Sequence, residues 1–250
     1  MRTTLMRIGT AMKTNILGAA ALLAMVLLAT GCPSAVQADC QTMPSAQGGY
    51  VLHFTRSGAA TPGCETDTPA EMSDVWVFDT LFDSQIRAHS VLMPFPDVDT
   101  LPANLIGSGK FTTREADSNN RCKVESLTTM SDDSSGTLLS YAVGNMEWLG
   151  GPAYQGAEFQ TDITVTVGTC TASYTSQALS PAVGCVDDHD CDPFKQPFSS
   201  GIFSVFDQGC TTEGWTSGAL AYLNDRDGTT ADPTPYAGVC FFRKPFPGLK

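Results

Sequence analysis

From Glu158 to Val167 the chain reads EFQTDITVTV. Phe159, Ile163, Val165 and Val167 share one parity, while Glu158, Gln160, Asp162, Thr164 and Thr166 share the other. Strand side chains alternate between two faces, so this period of two predicts a half-buried β-strand. Gly168-Thr169 then supplies a two-residue hairpin turn with glycine at its first central position. Across that turn Val167 is expected to face Cys170, Val165 to face Ala172 and Ile163 to face Tyr174, which puts the apolar residues of both strands on one face. Similar runs, rich in β-branched and aromatic residues and bounded by Gly, Pro, Asp and Ser, occur at 50–55, 74–82, 90–95, 123–130, 137–143, 201–206 and 238–242. No long helical stripe follows residue 32, and 214–224 is the best stretch for a short helix. Short strands at regular spacing predict an all-β fold, either a β-sandwich or a closed β-barrel.

The amino terminus has a different pattern. Arg2, Arg7 and Lys13 precede an uncharged apolar run of fourteen residues, Ile16 to Ala29. A membrane-spanning helix needs about 20 apolar residues, so this run fits the core of a secretory signal peptide behind a basic segment. The stretch Leu27-Leu28-Ala29-Thr30-Gly31-Cys32 resembles the lipobox of bacterial lipoproteins, with Ala29 where Leu is usual and Leu28 one place early. That resemblance implies acylation of Cys32 and cleavage before it, with two or three chains anchoring a protein far better than one. Pro33 stands where an acidic residue would imply retention at the inner membrane, so an outer-membrane or cell-surface position is expected. The competing small-x-small site, Val36-Gln37-Ala38, would instead release a soluble chain starting at Asp39. The expected organisation is a signal peptide over 1–31, a lipidated tether over 32–39 and a single extracytoplasmic all-β domain over 40–250.

Setting Cys32 aside leaves Cys40, Cys64, Cys122, Cys170, Cys185, Cys191, Cys210 and Cys240. An even number in an exported chain predicts a framework of four disulfides stapling the fold. Proximity in sequence suggests Cys40–Cys64, Cys185–Cys191 and Cys210–Cys240, leaving Cys122–Cys170. The formal charge is −12, and removal of the three basic groups before Cys32 takes it to −15. Nucleic acid is excluded as a partner, because phosphate binding requires Lys and Arg to displace counterions.

Candidate chemistry is sparse. Asp187, Asp188, Asp190 and Asp192 place four carboxylates within six residues, and Asp225, Asp227 and Asp232 form a second group beside Gly228. Ca²⁺ takes six to eight oxygen ligands, often from such Asp-rich loops. Neither segment has the full calcium-loop spacing, and a solvated acidic loop is the simpler expectation. No cofactor is expected beyond this candidate Ca²⁺. There is no G-x-S-x-G elbow and no H-E-x-x-H, and Gly107-Ser108-Gly109-Lys110 lacks the upstream glycine of a P-loop. His53, His89 and His189 are far apart in sequence, and Trp76, Trp148 and Trp215 are expected mainly to fill the core.

Cys170-x-Ala172-x-Tyr174, followed by Pro181 and then the acidic Cys185-x₅-Cys191 segment, is similar to the layout of cysteine-rich, uncharacterised lipoproteins of myxobacterial type. That resemblance implies no activity. The expected function is a lipid-anchored, non-enzymatic envelope or cell-surface protein, associated with the membrane through its lipid. It would bind an envelope protein, a glycan or a cation. The alternatives are a small-ligand carrier with a barrel cavity, marked by a large apolar interior, and a hydrolase, marked by a His, a Ser and a carboxylate meeting in a cleft.

Overall fold

The computed structural model describes residues 38–43, 49–90, 105–134, 136–150, 156–194, 200–202, 207–215, 217–226 and 236–243. Cys32 and residues 91–95 and 203–206 of the expected strands lie outside the described residues. Nine strands make one antiparallel sheet: β1 (Tyr50–Arg56), β2 (Glu71–Thr80), β3 (Gln85–Ser90), β4 (Ile106–Lys110), β5 (Arg121–Ser126), β6 (Met130–Asp132), β7 (Leu139–Leu149), β8 (Glu158–Val167) and β9 (Cys170–Leu179). They run in the order β4-β3-β2-β1-β9-β8-β7-β5, with β6 also paired to β7.

The two ends of that order meet. Phe111 bridges Val124, Thr112 N donates to Lys123 O and Thr128 N donates to Ser108 O, both at 2.8 Å. The sheet is thus a nearly closed barrel, which removes most of the free strand edge. Glycine makes the seam close enough. A Cβ on Gly109 would lie 2.7 Å from Leu127 Cδ2 and 2.9 Å from both Ser126 O and Val124 Cγ1.

The hairpin predicted at Gly168 is present with its expected register, Val167 opposite Cys170, Val165 opposite Ala172 and Ile163 opposite Tyr174. Gly168 has φ +58°, the left-handed region that a two-residue hairpin turn needs and that glycine enters most readily. The inward parity of the strands fills the barrel with side chains. Tyr50, Phe54, Trp76, Phe78, Tyr141, Trp148, Phe159 and Tyr174 are all fully buried, and neighbouring rings pack at centroid separations from 4.8 Å for Trp148–Phe159 to 6.5 Å for Phe54–Trp76. An eight-stranded barrel is just wide enough either to be filled by side chains or to hold one small ligand, and here side chains fill it. One carboxylate shares this interior. Asp74 accepts from Trp76 Nε1 at 2.7 Å and Ser90 Oγ at 2.6 Å, which satisfies a group that could not otherwise be buried.

A second layer lies on the outside of the barrel wall. β10 (Gly184–Cys185), β12 (Gly238–Phe242) and β11 (Gln208–Thr211) form a three-stranded sheet in that order. Together with the helix α1 (Ser217–Arg226) it packs on outward-facing Val51, Val75 and Leu179 to make a second core. The short helix falls where the sequence predicts one.

Four disulfides staple the chain as expected, but all four suggested pairings are corrected. The bonds are Cys40–Cys122, Cys64–Cys170, Cys185–Cys210 and Cys191–Cys240. Proximity in sequence misleads because antiparallel pairing and the second layer bring distant segments together. Cys64 and Cys170 are 106 residues apart in sequence, yet the β1–β9 ladder carries both ends of the loop to one place.

Candidate functional site

The outer wall of the barrel carries a groove over β1, β9, β8, β7 and β5. In β1, Leu52 and Phe54 point into the barrel, so His53 and Thr55 point outward. The same alternation brings Gln160 and Asp162 of β8 and Thr175 and Gln177 of β9 to the outside. These residues, with Lys123, Asn145 and Glu147, line a depression of about 700 Å³. Its floor lies at a β-bulge in β7, where the pairing with β8 slips between Gly144 and Glu147. Bulges bend a strand and re-aim side chains. Asn145 has φ +52°, and its amide donates to Asp162 Oδ2 at 2.7 Å.

Glu147 organises one side of the groove. Its carboxylate meets Arg121 Nη1 at 3.0 Å, Lys123 Nζ at 3.3 Å and Gln160 Nε2 at 3.2 Å. His53 and Gln177 also line a neighbouring depression of about 590 Å³, whose wall is built by the second layer through Thr211, Trp215, Phe241 and Arg243. The two depressions therefore adjoin at His53 and Gln177. The His53 ring packs edge-on to Trp215 at 5.6 Å and tilted to Phe241 at 6.0 Å. Glu71 stands 3.8 Å from His53 Nε2. Burial lowers the pKa of this imidazole below its ordinary 6.5, with Glu71 opposing the shift, so the ring is neutral at pH 7.

In the sequence His53 falls in a strand pattern, and nothing local links it to Trp215, which is 162 residues away. The outward parity of His53 was the available signal. Trp76 and Trp148 fill the core as expected, whereas Trp215 is half-buried at the groove wall, with Nε1 donating to Thr211 Oγ1 at 2.9 Å.

The acidic candidates take up other tasks. Asp187 caps a 3₁₀ turn by accepting from His189 N at 2.8 Å, and Asp190 Oδ2 accepts from Val186 N at 2.7 Å. Asp188 accepts from Cys210 N at 2.8 Å and pairs with Arg243 at 2.6 Å, while Asp192 accepts from Phe194 N at 2.8 Å. These contacts lower the pKa of Asp188 from its ordinary value, led by the Cys210 amide and the Arg243 guanidinium. Asp225 falls in α1, whereas Asp227 and Asp232 lie outside the described residues. Among the described residues, the one group of three metal-ligand types gathered within 4.8 Å is Cys185, Cys191 and Cys240. All three sulfurs are committed to disulfides and offer no thiolate.

Comparison with known proteins gives a family match. The family model described as MlpA matches residues 52–181, which run from β1 to just past β9 and include most of the groove. No curated protein and no solved structure matches.

Proposed function

The chain belongs to the MlpA family, whose model covers just over half of it, and on that premise we propose a lipid-anchored, non-enzymatic envelope or cell-surface protein that holds a glycan in the outer groove. The family name fits a lipoprotein and agrees with the lipobox resemblance at Cys32. No described helix is long and apolar enough to cross a membrane, so the acyl group is the attachment this reading relies on.

One observation carries the glycan reading. A row of side-chain amides and carboxylates, Asn145, Glu147, Gln160, Asp162 and Gln177, runs along a single open face toward the half-buried ring of Trp215. Sugars present hydroxyls to such groups and apolar faces to aromatic rings, and polar groups of this kind fix ligand orientation. The side chains filling the barrel argue against the carrier alternative. The His53–Glu71 contact favours the hydrolase alternative, but Ser73, the cross-strand partner of His53, is fully buried and presents no nucleophile to a substrate.

The test is binding of the folded, disulfide-intact protein to an array of bacterial-surface polysaccharides and peptidoglycan fragments. A subset of glycans should bind, and Gln177→Ala and Trp215→Ala should each weaken that binding about tenfold, the effect of losing roughly 1.4 kcal/mol. Glycan binding that survives both substitutions, or no binding on the array, would overturn the assignment of the groove.

A further inference from the structure

The end of the barrel at which β1, β3, β5 and β8 begin carries an apolar tip that no described part of the fold covers. Phe82 is 95 % exposed and Leu81 43 % exposed, in the turn between β2 and β3. The tip is fixed in place. Leu81 N donates to Gln85 O at 2.6 Å, Phe111 N donates to Ser84 O at 3.0 Å, and Lys110 Nζ reaches Asp83 at 2.7 Å. Asp83 and Ser84, at φ 60° and 59°, turn the chain so that the ring points away from the barrel.

The chain enters the barrel beside this tip. Asp39 bridges Glu115, Cys40 N donates to Arg114 O at 2.7 Å, and Cys40 is bonded to Cys122. Asp39, Cys40 and Phe82 line one depression of about 460 Å³. Residues 33–38 alone separate this point from Cys32, and an extended chain of that length spans at most about 25 Å. An acyl group on Cys32 would therefore hold this end of the barrel near the bilayer. Although the whole chain is acidic, Arg87, Lys110 and Arg114 here pair with Asp79, Asp83 and Asp39, which lowers the repulsion from an anionic surface. A second copy of the chain fits less well as the occupant. A stable interface buries about 800 Å² per partner, and two side chains on a narrow tip supply a small part of that.

We propose that Leu81 and Phe82 form a wedge that enters the boundary between headgroups and acyl chains of the membrane holding the Cys32 lipid, so that the barrel stands on its β2–β3 end. This inference rests on the lipid-anchored reading above. Apolar side chains at that boundary lie a few ångströms below the surface, and this tip stands where the tether joins the barrel.

The test uses full-length protein purified from membranes, as wild type and as Phe82→Trp, in vesicles of phosphatidylethanolamine and phosphatidylglycerol doped with brominated phosphatidylcholine. Phe82 is exposed, so the substitution leaves the fold intact, and the fluorescence difference between the two proteins isolates position 82. The added indole should emit to the blue, lose most of its emission to the bromolipid and resist aqueous acrylamide. If the protein floats with the vesicles but the added indole emits to the red and is quenched by acrylamide alone, the wedge is overturned and the anchor stands. If the protein does not float and its intact mass carries no acyl group, the anchor fails and the wedge fails with it.

Discussion

Both oxygens of Glu158 are buried and accept no hydrogen bond among the described residues. The residue lies on the outward parity of β8, opposite Leu179, where the second layer covers the wall. Burial pushes its carboxyl from the ordinary 4.5 up to about 8. The folded state then holds a proton that the unfolded chain has released between those two values. Stability should fall as pH rises from about 4.5 to 8, at up to roughly 1.4 kcal/mol per unit from this group. Glu158→Gln keeps the shape and removes the titration. Urea unfolding at pH 4, 6 and 8 should show the variant gaining on the wild type as pH rises, with little difference at the lowest pH. A constant difference across the three values would contradict the assignment. His53 acts with the opposite sign. Its lowered pKa means that the folded state resists protonation, so its contribution is lost as the medium falls below pH 6.5.

At the scale of elements, what the sequence revealed follows the strength of local pattern. The β8–β9 hairpin was legible because alternation and turn chemistry agree, and its register is as expected. β12 and α1 were also legible. β3 was missed because QIRAHS buries only Ile86, Ala88 and Ser90, and Ala and Ser carry little apolar signal. β4 was missed because IGSGK contains two glycines, which read locally as a loop. Those glycines do tertiary work at the seam, where the β4 backbone must approach β5 and Leu127. Gly109→Val should cost about 1–3 kcal/mol through overpacking, whereas Ser108→Val, on the exposed face of the same strand, should stay within about 0.5 kcal/mol. Thermal or urea unfolding of the two variants checks this, and equal costs would mean that the seam does not depend on glycine. The disulfide partners were not legible, because they depend on sheet order and not on distance along the chain.

For the whole molecule, the sequence left sandwich and barrel open, and the contact of β4 with β5 decides for a nearly closed barrel. The second layer was not legible as a unit: β12 and α1 show in the sequence, but their association with each other and with the barrel wall does not. Its strands have two to five residues each, and two disulfides hold it together. That layer creates the groove wall, so the juxtaposition of His53 with Trp215 and Phe241 could not be read before the fold was known. Residues 37–250 cluster as one unit. A filled barrel, an open polar groove and an apolar tip beside the chain entry form a coherent arrangement. Cohesion resides in the interior, recognition is assigned to the wall, and attachment is assigned to one end.

The assignment of attachment depends on the chain being anchored through Cys32. The most direct measurement is the intact mass of protein purified from native membranes, taken before and after reduction and alkylation. The expected product is a chain beginning at Cys32 with two or three acyl groups, and eight alkylatable thiols that appear only on reduction. An unmodified chain beginning at Asp39 would contradict it.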